Sequence, residues 1–163
     1  MIPLTDFERA YARFLPPVRA KCFRLLGRSH AAEDVAQEAF VRLWKSGLGD
    51  GEPRAVVAWL YRTATRLAID VLRERRRSDV DDVVGEATPC AVDLRTYVEA
   101  RAAIVSLASS VPADELAVAV LCRVDGLPQL EAATVLGISE RTVRRMLDRF
   151  DERTMPLRME LSS

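Results

Sequence analysis

The chain has 163 residues, of which 49% are hydrophobic and 6% aromatic. That length and composition suit one ordinary folded domain or two small ones and exclude a disordered chain. Formal net charge is zero, so a nucleic-acid partner would have to be read from local charge, and with few aromatic rings Ala, Val and Leu must do most of the packing, as in small helical bundles.

Neutrality hides two blocks of opposite sign. From Glu52 to Ser78 seven arginines face three acids, and from Asp79 to Asp125 nine acids face three arginines. Such asymmetry points to partners of opposite sign for different parts of the chain. Cys22, Cys90 and Cys122 form no Cys-x-x-Cys pair, and the single His30 has no cysteine near it. Neither a disulfide scaffold nor a metal site is therefore expected, and no cofactor. Asp6 and Glu8 come early and no long apolar run follows, so neither a signal peptide nor a membrane span is expected and the cytoplasm is the expected compartment.

Taken in chain order, nearly every segment predicts helix. Phe7, Phe14, Leu15, Val18, Cys22, Leu25 and Leu26 keep helical spacing over Asp6–Leu26, although Pro16 and Pro17 predict a kink or a split. Gly27 is a stop, and Ser29 caps a second helix from about Ala31 to Ser46. Gly47, Gly49, Gly51 and Pro53 mark a loop, after which a long helix runs from about Arg54 to Arg77. Asp79–Asp93 is acidic, holds Gly85 and Pro89, and has no period; it reads as a linker. A helix over Leu94–Ser109 follows. Pro112, Asp114 and Glu115 open another that Gly126 stops, and two short helices over about Gln129–Leu136 and Ser139–Glu152 close the domain.

The stretch LEAATVLGISERTVRRMLDRF, Leu130–Phe150, carries the clearest chemistry. Gly137 suits the left-handed turn between two short helices, and Ser139 with Glu140 suits the start of the second. On that second helix Val143, Met146, Leu147 and Phe150 share one face. Arg141, Arg144, Arg145 and Arg149 share the other, with Thr142 at its edge. This is a helix-turn-helix with a recognition helix. Arginine forks grip guanine edges or phosphates in two places at once. A lone helix of this kind would read as amphipathic and solvated; the preceding helix, glycine turn and serine cap in register favour DNA binding.

Two N-terminal stretches refine this: AEDVAQEAFVRLW at Ala32–Trp44 and WLYRTATRLAIDVLRERRR at Trp59–Arg77. With the C-terminal motif, in this order, they resemble the extracytoplasmic-function class of bacterial RNA polymerase sigma factors over nearly the whole chain. The Asp34, Gln37, Glu38, Phe40 run and the Trp59-Leu60-Tyr61-Arg62 opening with Ala68-Ile69-Asp70 carry the likeness. The resemblance implies an all-α fold with two small helical domains: a region 2-like domain at 5–78 and a region 4-like helix-turn-helix domain at 94–155, joined by the acidic linker at 79–93. It implies a sigma factor that binds core RNA polymerase and directs promoter recognition and transcription initiation. In this reading Asp34, Gln37, Glu38, Val41 and Lys45 dock on polymerase, opposite a buried face of Val35, Ala39, Phe40, Leu43 and Trp44. Trp59, Arg62, Arg66, Arg73 and Arg77 lie opposite an apolar stripe of Val57, Leu60, Ala64, Leu67, Ala68 and Val71, and contact the minus-ten element. Arg141, Thr142, Arg144, Arg145 and Arg149 contact the minus-thirty-five element. Trp59 fits either base stacking or a core position, and Arg73–Arg77 also fits a solubilising helix end.

Departures from the family pattern are Arg66 where many members have Asn, the glycine-rich loop at Gly47–Pro53, Ala132 for a common Ile, and Pro128 for a capping Ser. The resemblance also implies that the acidic linker threads toward the RNA exit path of polymerase; a plain solvated linker fits it equally. An anti-sigma factor is a further partner the family admits, though no residue identifies one. The alternative is a stand-alone helix-turn-helix regulator, against which the N-terminal stretches argue. With one histidine and no phosphate loop or catalytic cluster, no enzyme is expected.

Overall fold

The computed structural model describes residues 4–27, 29–48, 51–78 and 93–161. Among these residues the secondary structure is helical throughout. The N-terminal half holds α1 (Leu4–Leu26), α2 (His30–Ser46) and α3 (Pro53–Arg77). The C-terminal half holds α4 (Leu94–Leu107), α5 (Ala113–Ala119) with a π-helical turn over Val120–Val124, α6 (Gln129–Leu136) and α7 (Glu140–Leu161).

Helix α1 runs through Pro16 and Pro17 instead of splitting. The carbonyls these prolines leave without donors belong to Ala12 and Arg13, both on the exposed side, where water satisfies them and the lost bonds cost little. Gly27, at φ 72°, ends the helix. Ser29 caps α2 as expected, its hydroxyl accepting from Ala32 N at 3.3 Å. Pro53 lies in the first turn of α3, where its missing N–H is harmless.

The three helices close around Val18, Leu25 and Leu26 of α1, Val35, Phe40 and Leu43 of α2, and Leu60, Ile69 and Leu72 of α3, with alanines at 36, 39, 64 and 68 letting the axes approach. Trp44 departs from the expected buried face of α2. It is 36% exposed, its ring 6.0 Å from that of Phe7 at the rim. The buried stripe of α3 is also turned from the expected one: Val56, Ile69 and Leu72 are buried, while Val57, Leu67 and Val71 are only partly covered. A helix packed on both α1 and the C-terminal half buries a wider arc than one apolar stripe suggests.

In the C-terminal half, Asp93 caps α4 by accepting from Arg95 N and Thr96 N. The helix opened by Pro112 does not run unbroken to Gly126. After Ala119 it widens into the π turn, where Asp125 N reaches Val120 O at 2.9 Å. Helix α7 continues well past Glu152, through Pro156 to Leu161. The carbonyl that Pro156 leaves without a donor is that of exposed Glu152.

The two halves pack directly on each other. One apolar core joins Leu25, Leu26 and Leu60 to Tyr97, Ile104, Leu116, Val120, Val124 and Phe150. A second cluster, Val118, Leu121, Ala132, Ala133, Val143 and Leu147, holds the helix-turn-helix together. The acidic linker lies, apart from Asp93, outside the described residues.

Candidate nucleic-acid and polymerase interfaces

The helix-turn-helix is built from short-range rules. Helix α6 ends at Gly137, φ 68° and ψ 34°, which a residue with a Cβ adopts only at a cost. Ile138 N then bonds Ala133 O at 3.1 Å, closing the turn. Ser139 Oγ accepts from Thr142 N at 3.1 Å and lies 2.8 Å from Thr142 Oγ1. Pro128 provides no side-chain cap at the start of α6. Val143, Leu147 and Phe150 are buried and Met146 is half-buried, which turns Arg141, Arg144 and Arg145 to solvent.

Arg149 has a different setting from those three. Its Nη1 lies 3.7 Å from Glu115 Oε1, and Arg153 Nε lies 3.3 Å from Glu115 Oε2. Glu115 is buried, so these arginines tie α7 to α5. Arg123 makes a similar tie, donating to Asp151 at 2.7 Å. Arg144 has only a loose i,i+4 partner, Glu140 at 3.6 Å, an exposed pair that a phosphate can replace at little cost.

On α2 the expected docking residues Asp34, Gln37, Glu38, Val41 and Lys45 are all exposed. Glu38 accepts from Arg42 at 2.8 Å. Sequence reasoning missed the continuation of this surface onto α3. Asp34 and Glu38 line a groove with Asp70 and Glu74, and Val35, Leu67 and Val71 supply apolar lining. Two acid pairs, each at i,i+4, were the available signal. Four carboxylates around apolar lining fit a basic, partly apolar helix.

The arginine stripe of α3 is not the open face that the sequence predicts. Trp59 is half-buried against the core, and Arg62 is half-buried. Arg73 reaches across to the other half, donating from Nε to Ala108 O at 2.8 Å and from Nη2 to Val111 O at 3.0 Å. Arg77 pairs with Glu74 at 2.6 Å, and Arg75 turns back to Ser29 Oγ at 3.3 Å. Arg66 is exposed, with Asp114 at 3.9 Å.

Burial pushes the thiols of Cys22 and Cys122 up to about 11, so neither supplies thiolate at neutral pH. Cys90 lies outside the described residues. Among the described residues no group of three His, Cys, Asp or Glu is placed to hold a metal ion. None of the described helices is long and apolar enough to cross a membrane.

Two protein families match parts of the chain. Residues 10–78 match the Sigma-70 region 2 family, and residues 110–155 match a homeodomain-like domain family. The chain is 34% identical over 137 residues to the ECF RNA polymerase sigma factor SigE of Mycolicibacterium smegmatis, covering 78% of this chain and 51% of that protein. It is 30% identical over 157 residues to the probable ECF RNA polymerase sigma factor SigI of Mycobacterium tuberculosis, covering 90% and 52%. A shorter match, 46% over 55 residues, links it to SigW of Bacillus subtilis, covering 34% and 29%. The chain thus spans about half the length of the first two relatives.

Proposed function

Since the chain belongs to the extracytoplasmic-function class of RNA polymerase sigma factors, we propose that it binds core RNA polymerase and directs promoter recognition and transcription initiation in the cytoplasm, catalysing no reaction itself. The observation that carries this reading is the outward arginine face of α7. Arg141, Arg144 and Arg145 stand exposed on a Ser139-capped helix directly after the Gly137 turn, in one chain with a region 2 match. The N-terminal turns of such a helix read base edges in the major groove while its flanking cations hold phosphates.

In this reading Arg141, Thr142, Arg144 and Arg145 contact the minus-thirty-five element, with Arg149 divided between DNA and Glu115. Asp34, Gln37, Glu38, Val41 and Lys45, extended by Asp70 and Glu74, dock on polymerase. Trp59, Arg62, Arg66, Arg73 and Arg77 serve the minus-ten strand by stacking and phosphate contact. An anti-sigma protein that masks one of these faces is a further partner consistent with the family.

The test is reconstitution. Purified protein should co-purify with core polymerase and support run-off transcription from fragments of the host genome. Duplex DNA binding without any association with core would instead establish a stand-alone helix-turn-helix regulator.

A further inference from the structure

The proposed function uses no residue of α1, yet α1 puts two arginines beside the minus-ten face of α3. Arg9 and Arg13, one helical turn apart, line a cleft with Asp6 and Phe14 of their own helix and with Gly51, Pro53 and Val56 at the entry to α3. On the other side of that entry Trp59 and Arg62, both assigned to the minus-ten strand, line a second cleft with Glu52 and Arg54. The two clefts share Gly51 and Val56. They therefore form one surface that bends round the N-terminal end of α3.

We infer that Arg9 and Arg13 hold phosphates of the single strand where it leaves the minus-ten face, so that the strand path continues from α3 onto α1. The inference rests on the proposed sigma function for which strand this is. The continuity of the two clefts rests on geometry alone.

Charge favours a polyanion on this surface. The two clefts hold four arginines against two acids, Asp6 and Glu52, in a chain of zero formal charge. The carboxylates of Asp34, Glu38, Asp70 and Glu74 line a separate groove. A strand is thus steered to the arginine side and away from the proposed polymerase dock. The loop from Gly47 to Pro53 brings no basic side chain of its own, and α1 supplies the two cations next to it.

Both arginines are available for the task. The Arg9 side chain is 80% exposed, and its partner is Asp6 at 3.0 Å. An exposed pair of this kind contributes little, so a phosphate replaces the carboxylate at small cost. The Arg13 guanidinium lies 5.3 Å from the centre of the Phe14 ring, a contact with no acid in it. Residues four apart stand about 6 Å apart along a helix, a step that lets the two heads address two phosphates of one strand.

The floor of the cleft suits bases. Phe14, Pro53 and Val56 offer apolar surface on which an unpaired base rests without needing a particular sequence. Gly51 is the threshold between the clefts. A Cβ there would lie 3.1 Å from Leu48 O, so a side chain would crowd the turn and raise a wall across the path.

The test is the salt dependence of single-strand binding. The full chain is titrated into a labelled oligothymidylate of about 12 nucleotides, since phosphate contacts need no particular sequence. Each phosphate neutralised on a single strand contributes about 0.7 to the slope of log affinity against log salt. Arg9→Ala with Arg13→Ala should therefore lower the slope by about 1.4. Between 50 and 200 mM salt the wild type should then lose about sevenfold more affinity than the variant. Arg9→Lys with Arg13→Lys keeps both charges and should keep the slope. A duplex of the same length, held by α7, should bind all three forms alike.

A helical alanine pair with the wild-type slope on the single strand would overturn the inference. So would an equal fall on the duplex, because the arginines would then act through net charge alone. A wild type that does not bind the oligothymidylate at 50 mM salt overturns it as well. Should circular dichroism show that the alanine pair loses helix, Arg9→Ala decides alone: a slope lower by about 0.7 supports the path and an unchanged one overturns it. If no form binds core polymerase, the sigma reading fails while the slopes still judge the cleft on α1.

Discussion

Replacing Arg144 and Arg145 together by Ala tests the recognition face through its salt dependence. Each phosphate neutralised by a protein cation contributes about 0.9 to the slope of log affinity against log salt. Both side chains are exposed and neither has a buried acid to return to, so the double variant should lose about 1.8 from that slope. Between 50 and 200 mM salt, a fourfold change, the wild type should then lose about twelvefold more affinity than the variant. Arg149→Ala is the internal control. Its guanidinium lies 3.7 Å from buried Glu115, so its removal should lower thermal stability and change the slope by well under one. Fluorescence anisotropy with a labelled duplex of any sequence suffices, because phosphate contacts are sequence-independent. A double variant with the wild-type slope, or an Arg149→Ala slope reduced by a full unit, would refute the proposed division between reading and scaffolding arginines.

Other consequences are open to simpler tests. Gln37→Ala with Glu38→Ala should weaken competition for core polymerase with unchanged helicity, since both side chains are exposed; unaltered competition would remove α2 from the docking surface. Gly137→Ala meets no crowding, its nearest contact being 3.9 Å, so only the left-handed backbone is strained. That costs about 1 kcal/mol and should lower the melting temperature by about 2–4 °C. Bonds from Thr96 and from the amide of Arg95 hold the Asp93 carboxyl below its usual range. A depressed folded-state value means the cap's contribution is present above the unfolded carboxylate range and is lost as pH falls through the lowered one. Asp93→Asn, which caps without titrating, should remove that part of the acid dependence in a melting series from neutral pH downward.

Local features were legible in the sequence because local chemistry decides them. Ser29 and Ser139 cap their helices through their own hydroxyls, and Gly137 takes the backbone angle that other residues avoid. Val143, Leu147 and Phe150 define the inner face of α7 by spacing alone, which leaves Arg141, Arg144 and Arg145 outside. The exposed face of α2 followed in the same way.

Tertiary packing decided what periodicity cannot carry. Whether Pro16, Pro17 and Pro156 break a helix depends on whether the carbonyls they orphan face water, and here those carbonyls belong to exposed residues. An arginine's role depends on which acid or carbonyl a distant segment brings to it. Glu115 thus separates Arg149 from its neighbours on α7, and Ala108 and Val111 engage Arg73. Asp125 stood in the sequence as one more acid of a negative block. Only the meeting of α1 with the π turn makes it the buried partner of Lys21 and Arg24, because charge in a linear pattern has sign but no dielectric until the fold removes the water around it.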